Sequence, residues 1–377
     1  MKNSTLRFVL VLFISSMISL SAFASQHTVS KDPNRVAQYN DLQLAIDDAA
    51  NGDTILVYGS TTGYGNINVY KPLVLIGEGY NENLGLVASI ATLTISRFNS
   101  TLAADGSTIM GFNITSSITY TTDYSGATDE TRNLSDITVL RCKVRDFNFG
   151  NYYGYDNFVN LNIINCVITE DIGLNQYYTT FDDGQDIVFS NCIFDGSRIY
   201  GNMTREAGTL TVYEDLSNVR IYNSLFLNYE TGLLNNTVGL VFEDNVFFGH
   251  ELYSSDYAQI TWNNNLFYLA DQAVSDLLTN ENVGSGNLID VNPLFTTYPA
   301  TPEAFSYAHD YTLQAGSPAL TASVEGGEIG IFGGAYPFAV GAKPPVPQVT
   351  EVTIQDGTSS VPVGGTINFN FKAESGN

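Results

Sequence analysis

Three cysteines, Cys142, Cys166 and Cys192, are the first side chains of this sequence whose type and spacing could do chemistry. Thiols at one position of neighbouring strands could bind a metal ion, form one disulfide or fill a core. Each occupies the sixth position of a similar octet, and no histidine shares that position. Because free cysteine behaves as a small apolar residue, we interpret the three as buried, unreacted thiols stacked in a column.

Two segments that combine tyrosine pairs with carboxylates are candidates for carbohydrate binding. They are "GNYYGYDN" (150–157) and "NQYYTTFDDGQD" (175–186). Sugars stack their C–H faces on aromatic rings, while their hydroxyls need hydrogen-bond partners. The alternative is that tyrosine and aspartate are simply common in exposed turns. The expected substrate-binding residues are Tyr152, Tyr153, Tyr177, Tyr178, Asp182 and Asp183.

The acidic stretch "DDGQD" is also the candidate for a calcium site. Asp182, Asp183 and Asp186 would supply carboxylate ligands, which Ca²⁺ prefers. No EF-hand spacing surrounds them, so Ca²⁺ is an optional expectation rather than a required cofactor.

The elements that must position these side chains are repeated coils. Six octets align without gaps and start 24, 26, 32, 21 and 20 residues apart, which is the period of one coil of a β-solenoid. A seventh, "STIMGFNI" (107–114), fits more loosely. The six octets are "ITVLRCKV" (137–144), "LNIINCVI" (161–168), "IVFSNCIF" (187–194), "VRIYNSLF" (219–226), "LVFEDNVF" (240–247) and "ITWNNNLF" (260–267).

The pattern within an octet predicts a strand, a tight bend and a second strand. Positions one and three are apolar, which places one face of a strand inward. Position five holds asparagine or aspartate in five octets and Arg141 in the first. Asparagine and aspartate tolerate the left-handed backbone conformation that a one-residue bend needs. Stacked coils of this kind build parallel sheets.

One apolar column of these coils must point outward. Positions seven and eight are both apolar in five octets, and adjacent residues of a strand face opposite sides. A long bare apolar stripe is unusual on a soluble monomer. We therefore expect the C-terminal segment or another long loop to cover it.

The two ends of the chain differ from the repeats. Residues 1–24 combine Lys2 and Arg7 with a short apolar run and "AFA", which predicts a secretory signal peptide and a mature chain from Ser25. Residues 25–341 form the predicted β-helix domain, with a capping helix near 41–51. Residues 342–377 are a Pro-rich linker and a short pair of strands, expected to pack on the solenoid.

Charge and hydropathy limit the partners. The net charge of −24 argues against nucleic acid, whose phosphates need lysine and arginine, and against simple electrostatic capture of a polyanion. The apolar run in the leader is too short for a comfortable membrane span, so we expect no transmembrane anchor. The expected location is secreted, periplasmic or at the cell surface, and the oligomeric state is open.

The two ends of the coil region resemble a known superfamily. "LQLAIDDAANGDTILVYGS" with "NINVYKPLVLIGEG" (66–79), and the later "DVNPLF" (290–295), "DYTLQAGSPAL" (310–320) and "EIGIFGG" (328–334), carry the resemblance. They look like the entry and exit segments of right-handed parallel β-helix proteins of the pectin-lyase-like superfamily, in particular exported bacterial members of unassigned activity. The resemblance implies an all-β, right-handed parallel β-helix. It implies little about activity, because the superfamily includes lyases, hydrolases, esterases and non-catalytic proteins.

The resemblance also suggests where a catalyst would have its site. Polysaccharide lyases of this superfamily use lysine or arginine as the base, often with Ca²⁺, and residues 221–342 contain neither cation. The candidates are therefore Lys143, Arg145 and Arg205, with Asp146 beside them. The alternative is that they are solvated charges on the outer face of a strand.

"DFNFG" (146–150) and Gln185-Asp186 resemble pectin methylesterase signatures, but their order is reversed and the Arg-Pro-Trp motif is missing. A methylesterase-like activity is therefore the remote alternative. The sequence as a whole predicts an exported, carbohydrate-interacting β-helix protein. It is either a polysaccharide lyase or hydrolase, or a non-catalytic glycan-binding or cell-surface structural protein.

Overall fold

The chain is a stack of β-coils, described by a computed structural model. The described residues are 24–97, 102–122, 133–149, 157–174, 187–201, 203–206, 209–212, 216–227, 232–249, 252–253, 256–269, 277–341, 343–344, 347–354 and 369–375.

The first long sheet, sheet A, contains eleven parallel strands, one from each coil in order. These strands hold the first half of every octet. Their bounds are β1 (Gln26–Val29), β2 (Thr54–Val57), β4 (Val74–Gly77), β6 (Thr108–Met110), β9 (Thr138–Leu140), β12 (Leu161–Ile164), β15 (Ile187–Ser190), β20 (Val219–Tyr222), β24 (Val241–Glu243), β27 (Thr261–Asn263) and β29 (Val283–Ser285).

The second long sheet, sheet B, contains thirteen strands and holds the second half of every octet. Its strands are β3 (Ile67–Val69), β5 (Ser89–Arg97), β7 (Asn113–Thr122), β10 (Lys143–Asn148), β13 (Val167–Ile168), β14 (Ile172–Gly173), β16 (Ile193–Asp195), β17 (Ile199–Tyr200), β21 (Leu225–Leu227), β22 (Leu234–Asn235), β25 (Val246–Phe248), β28 (Leu266–Tyr268) and β30 (Leu288–Ile289). It forks at β10, whose first half pairs with β13 and whose second half pairs with β14.

Shorter elements complete the coils and the two ends. Two parallel pairs form further turns of the coils, namely β8 (Asn133–Ser135) with β11 (Asn157–Val159), and β23 (Thr237–Val238) with β26 (Tyr257–Ala258). Three antiparallel pairs lie outside the long sheets, namely β18 (Met203–Glu206) with β19 (Thr209–Val212), β31 (Phe295–Thr297) with β32 (Asp310–Leu313), and β33 (Pro347–Ile354) with β34 (Phe369–Ser375). The helices are α1 (Leu42–Asp48) and two 3₁₀ turns at Glu82–Leu84 and Pro318–Thr321.

The pairing register confirms the octet alignment and the parallel β-helix. Thr138 pairs with Asn162 in the next coil, and Leu161 pairs with Ile187 in the coil after that. The longest predicted interval is also correct, because Ile187 pairs with Val219. Every octet therefore occupies the same position in its own coil.

The interior is a single apolar core in which like side chains stack along the axis. The phenylalanine rings at position eight stack at centroid distances of 4.4 Å (Phe194–Phe226), 4.4 Å (Phe226–Phe247) and 4.7 Å (Phe247–Phe267). Offset stacking of this kind adds about 0.5–1.5 kcal/mol per pair beyond the burial itself. The core is closed at its first end by α1.

Helix α1 is shorter than the 41–51 stretch expected, and it caps the first coils as predicted. The Asp41 side chain accepts a hydrogen bond from the Leu44 amide at the helix N-terminus. Leu42, Ala45 and Ile46 are buried against the core. Among the described residues, none of the helices has the length and apolar character needed to cross a membrane.

The C-terminal strands 347–354 and 369–375 form an antiparallel pair, as the alternating pattern predicted. Packing of this pair on the solenoid stays a prediction.

Candidate functional site

The bend residues of the octets decide which faces of the molecule are covered. All six adopt positive φ, as the prediction for position five requires: Arg141 (49°), Asn165 (53°), Asn191 (53°), Asn223 (44°), Asp244 (59°) and Asn264 (52°). An asparagine costs little in this conformation because its short polar side chain can hydrogen-bond locally. Several of these side chains also form hydrogen bonds with a segment far away in the sequence.

Four of the six bend side chains hydrogen-bond to residues 291–341, which we call the covering segment. Asn191 donates from Nδ2 to the carbonyls of Ile331 (2.9 Å) and Gly333 (2.7 Å). Asn165 exchanges two bonds with the same segment, donating to the Tyr336 carbonyl (2.7 Å) and accepting from the Ala339 amide (2.9 Å). Hydrogen bonds of this kind fix the path of a chain that has little secondary structure of its own.

Two further bends, at Asn264 and Asp244, continue the attachment along the solenoid. Asn264 donates to the Ala322 carbonyl (2.8 Å), and the Asp244 carboxylate accepts from the Ser323 hydroxyl (2.7 Å) and the Val324 amide (3.1 Å). The covering segment therefore runs back from the last coils towards the first ones.

The covering segment buries the outward apolar column, as the sequence predicted for a long loop. Position seven of the octets is at most 1% exposed at Val167, Ile193, Leu225, Val246 and Leu266. The apolar side chains packed on this column include Phe295, Tyr311, Ala319, Ile329, Ile331 and Phe338. The outer face of sheet B is therefore closed along these coils, whereas the outer face of sheet A carries polar side chains that reach solvent.

The candidate site lies on that outer face of sheet A, near its C-terminal end. Tyr222, Glu243 and Asn263 are paired in register on three successive coils. Arg220 lies on the same strand and face as Tyr222, and its guanidinium donates to the tyrosine hydroxyl at 3.3 Å. Arg220 is exposed and the other three are half-buried. A cation, a phenol, a carboxylate and an amide are thus combined on one surface.

Glu243 is the acid of this site, and its surroundings raise its pKa. Burial raises its pKa, and the negative charges of Asp244 and Glu325 raise it further. A hydrogen bond with Asn263 and the positive charge of Arg220 lower it, but the pKa remains raised overall. A carboxyl group with a raised pKa next to a cation is a common feature of functional sites.

Three of the predicted catalytic candidates, Lys143, Arg145 and Asp146, lie on strand β10 of sheet B, away from this site. Lys143 is half-buried. Burial raises the pKa of Asp195, and the positive charge of Lys143 offsets part of that increase. Arg145 Nε lies 3.8 Å from a carboxylate oxygen of Asp146 and 3.8 Å from one of Glu170. The structure therefore brings Arg145 and Asp146 together, as an exposed ion pair shared with a second carboxylate.

The other predicted site residues give less information. Arg205 belongs to the antiparallel β18–β19 pair rather than to a coil, and its side chain lies outside the described residues. The predicted substrate-binding residues and calcium ligands, Tyr152, Tyr153, Tyr177, Tyr178, Asp182, Asp183 and Asp186, also lie outside them. Within the described part of the chain, no group of three or more His, Cys, Asp or Glu side chains could hold a metal ion.

The cysteine column is a core feature, as predicted. Cys142, Cys166 and Cys192 are free and fully buried. The Cys166 thiol donates to the Ile164 carbonyl at 3.4 Å, and burial raises its pKa well above the ordinary value. A thiol kept protonated in this way is a poor nucleophile and a poor metal ligand.

The same column changes from sulfur to amide in the later coils. Asn245 Nδ2 donates to Asn265 Oδ1 at 3.0 Å, and Asn265 Nδ2 donates to Asn287 Oδ1 at 3.2 Å. The buried amides satisfy one another along the axis, so the column has no free polar group to offer a ligand.

Sequence reasoning missed Tyr222, Glu243 and Asn263, although a signal for them was present. All three hold position four of their octets, which the alignment places on the outward face just before the bend. Reading position four down the aligned octets gives Leu140, Ile164, Ser190, Tyr222, Glu243 and Asn263, a change from apolar to polar along the stack.

Comparison with known proteins leaves the family open. No protein-family model matches the sequence, and no curated protein matches it. Among solved structures, the chain is similar to QnrB1 (full length), described as a plasmid-mediated fluoroquinolone resistance protein. The two are 16% identical over 52% of this chain and 93% of that one, with a TM-score of 0.15. A similarity this slight assigns no activity to the chain.

Proposed function

We propose that this protein is an exported parallel β-helix that binds an extracellular polysaccharide along the outer face of sheet A. The supporting observation is the in-register placement of Tyr222, Glu243 and Asn263 on three successive coils, beside Arg220. Successive coils lie about 4.8 Å apart, so this face presents polar groups at regular intervals to an extended polysaccharide chain. Aromatic, amide and carboxylate groups are the partners that sugar rings and hydroxyls need.

The ligand that fits this surface best is a neutral polysaccharide. The net charge of −24 opposes a polyanion, and Glu243 and Glu325 add local negative charge beside Arg220. A neutral glycan avoids this repulsion and still uses the hydrogen-bonding groups.

The binding test uses the full chain and a panel of neutral and acidic polysaccharides, measured by isothermal titration calorimetry. Tyr222→Ala and Glu243→Gln should each weaken binding of a neutral glycan about tenfold, since about 1.4 kcal/mol of contact energy corresponds to that factor. Tyr336→Ala is the matched control, because this tyrosine is 55% exposed on the covering segment, away from the site. Equal binding by all three variants would refute a site at this position.

A catalytic role is the second candidate, and the raised pKa of Glu243 favours it. A protonated carboxyl could act as a general acid towards a glycosidic oxygen. The residues suggested by the superfamily resemblance, Lys143, Arg145, Arg205 and Asp146, are the competing site. As a proton-abstracting base, Arg145 would have to leave the two carboxylates beside it, so binding is the role we favour.

The same panel separates these roles when it is assayed for reducing ends and for unsaturated ends, with and without Ca²⁺. Hydrolysis at the sheet A site would release reducing ends that Glu243→Gln abolishes and Arg145→Ala preserves. Unsaturated ends lost in Arg145→Ala would instead support a lyase on sheet B. Binding without either product supports the non-catalytic role.

A further inference from the structure

A buried carboxylate lies where the mature chain is expected to begin. Asp53 is 4% exposed, and its Oδ1 accepts a hydrogen bond from the backbone nitrogen of Ser25 at 2.7 Å. Its Oδ2 accepts from the Ala50 amide at 2.8 Å and lies 3.0 Å from His27 Nε2. Three donors thus converge on one carboxylate.

The first strand of sheet A holds Ser25 in this position. Gln26 of β1 pairs with Thr54 of β2, so the residues before them, Ser25 and Asp53, are neighbours. The Thr54 amide also donates to the Ser25 carbonyl at 2.9 Å. Asp53 and Thr54 therefore hold the backbone of Ser25, whereas Ala24 and Ser25 both remain exposed and can be reached by an enzyme.

We propose that Asp53 is a binding site for the α-ammonium group of Ser25, which is created when a signal peptidase hydrolyses the Ala24–Ser25 bond. Hydrolysis adds one water across the peptide bond, leaving a carboxylate on Ala24 and an ammonium on Ser25. The peptide nitrogen already lies at hydrogen-bond distance from Asp53 Oδ1, so the new charge forms beside its counter-ion without movement of the chain. This inference is independent of the glycan site.

The ammonium fits this site better than the amide that it replaces. An amide offers Asp53 one neutral donor, whereas an ammonium offers three donors and a full positive charge. A buried carboxylate is costly unless it is paired, and a charged partner reduces that cost more than neutral donors do. Processing would therefore stabilise the first coil.

His27 shares Asp53 with Ser25, because its Nε2 lies 3.0 Å from Asp53 Oδ2 while its ring packs edge-on against Tyr39. The other charged groups in this region face other partners, and the negative charge of Asp48 acts on Tyr39. Lys71 Nζ donates to the carbonyls of Asp47 and Ala49, at the end of α1. Among the described residues, Asp53 is thus the carboxylate that contacts the Ser25 nitrogen.

The expected pH dependence follows from the sign of two pKa shifts. Burial alone would raise the pKa of Asp53, but hydrogen bonds from Ser25, His27 and Ala50 outweigh it and the pKa is lowered. The carboxylate is therefore charged from weakly acidic pH upwards. An α-amine has an ordinary pKa of about 8, and pairing with Asp53 raises it in the folded state. The stabilisation is complete below about pH 8 and is lost as the pH rises through the folded-state pKa.

The first experiment determines the N-terminus of the exported chain by intact mass and N-terminal sequencing. The expected first residue is Ser25. A mature chain that begins at any other residue would overturn the proposal.

The second experiment compares denaturation midpoints of the chain beginning at Ser25 and of one that retains Ala24, from pH 6.5 to pH 10. The Ser25 form should be the more stable at pH 6.5 and should lose this advantage above about pH 8. Asp53→Asn should abolish the difference between the two forms. Asp105→Asn is the matched control, because Asp105 also accepts a backbone amide, that of Ser135, and pairs with Arg97.

A direct titration decides the question if Asp53→Asn does not fold. The ¹⁵N resonance of the Ser25 amine, followed against pH in the unmodified sequence, should report a pKa above the ordinary value of about 8. A pKa at or below that value would refute an ion pair with Asp53, as would equal pH profiles of the two N-terminal forms.

Discussion

Single bend residues in this solenoid serve the coil and its cover at once. Asn191 has a φ of 53° and is fully buried, and its amide satisfies two carbonyls of the covering segment. The Ser190 hydroxyl donates to its Oδ1 at 2.8 Å. The left-handed conformation directs the Asn191 side chain outward at the corner of the coil. A glycine could adopt the same backbone conformation, but it has no side chain that could bind the covering segment.

Substitutions at Asn191 separate the two roles. Asn191→Gly keeps the backbone conformation but removes both hydrogen bonds to the covering segment, although the Ile331 carbonyl still accepts from the Phe338 amide at 2.7 Å. We expect a loss of about 1–3 kcal/mol in the free energy of unfolding. Asn191→Ala should cost about 1 kcal/mol more, because alanine disfavours the left-handed region. Urea denaturation measures both. Asn162→Ala is the control, since its side chain donates to exposed Asn160, and it should change stability by less than about 0.5 kcal/mol. Equal values for all three would refute the attachment.

At the scale of elements, the two long sheets have different outer faces. Sheet B presents an apolar column to the covering segment, whereas sheet A presents polar side chains to solvent. The difference arises from one outward position on each sheet, because position seven is apolar in five of the six octets and position four becomes polar in the later coils. The covering segment therefore decides which outer face stays open to solvent along these coils.

Removing an apolar contact beneath the covering segment should destabilise it. Ile331 is 3% exposed against the outward column, so Ile331→Ala should cost about 2–4 kcal/mol. Increased binding of a hydrophobic dye would follow from exposure of the column. Val340→Ala is the control, because Val340 is 75% exposed, and it should have an effect below about 0.5 kcal/mol. A similar loss in both variants would contradict the cover that we describe.

At the scale of the whole molecule, charge is distributed unevenly. The net charge is −24, and residues 221–342 contain no lysine or arginine. The later coils and the covering segment therefore repel one another electrostatically, although their apolar contacts hold them together. Self-repulsion of this kind destabilises a compact state and is screened by salt.

Salt should therefore raise thermal stability. Increasing NaCl from about 10 mM to about 500 mM should raise the melting temperature by a few degrees, at roughly 2–4 °C per kcal/mol. Calorimetry measures the shift, and MgCl₂ and CaCl₂ at equal ionic strength are the controls. A gain specific to Ca²⁺ would support ligands at Asp182, Asp183 and Asp186. No gain with any salt would contradict a role for self-repulsion.

Much of the fold could be predicted from the sequence because a solenoid repeats local rules. Coil length, inward positions and bends recur in each octet, and stacking of identical coils needs only contacts between neighbours. The pairing of Leu161 with Ile187 and the buried Cys166 both follow from that alignment. The candidate site was harder to predict, because Tyr222 and Glu243 are recognised as neighbours only when their coils are stacked in register.

The sequence by itself determined the coil register, the inward column of thiols and the need for a cover over one of the two apolar columns at positions seven and eight. Only the tertiary structure decided what provides that cover and which outer face remains open. The reason is physical. Periodicity records which side a residue faces, but contacts such as that of Asn165 with Tyr336 join residues far apart in the chain and leave no periodic trace. The same holds for Ser25 and Asp53, whose contact depends on the pairing of two strands.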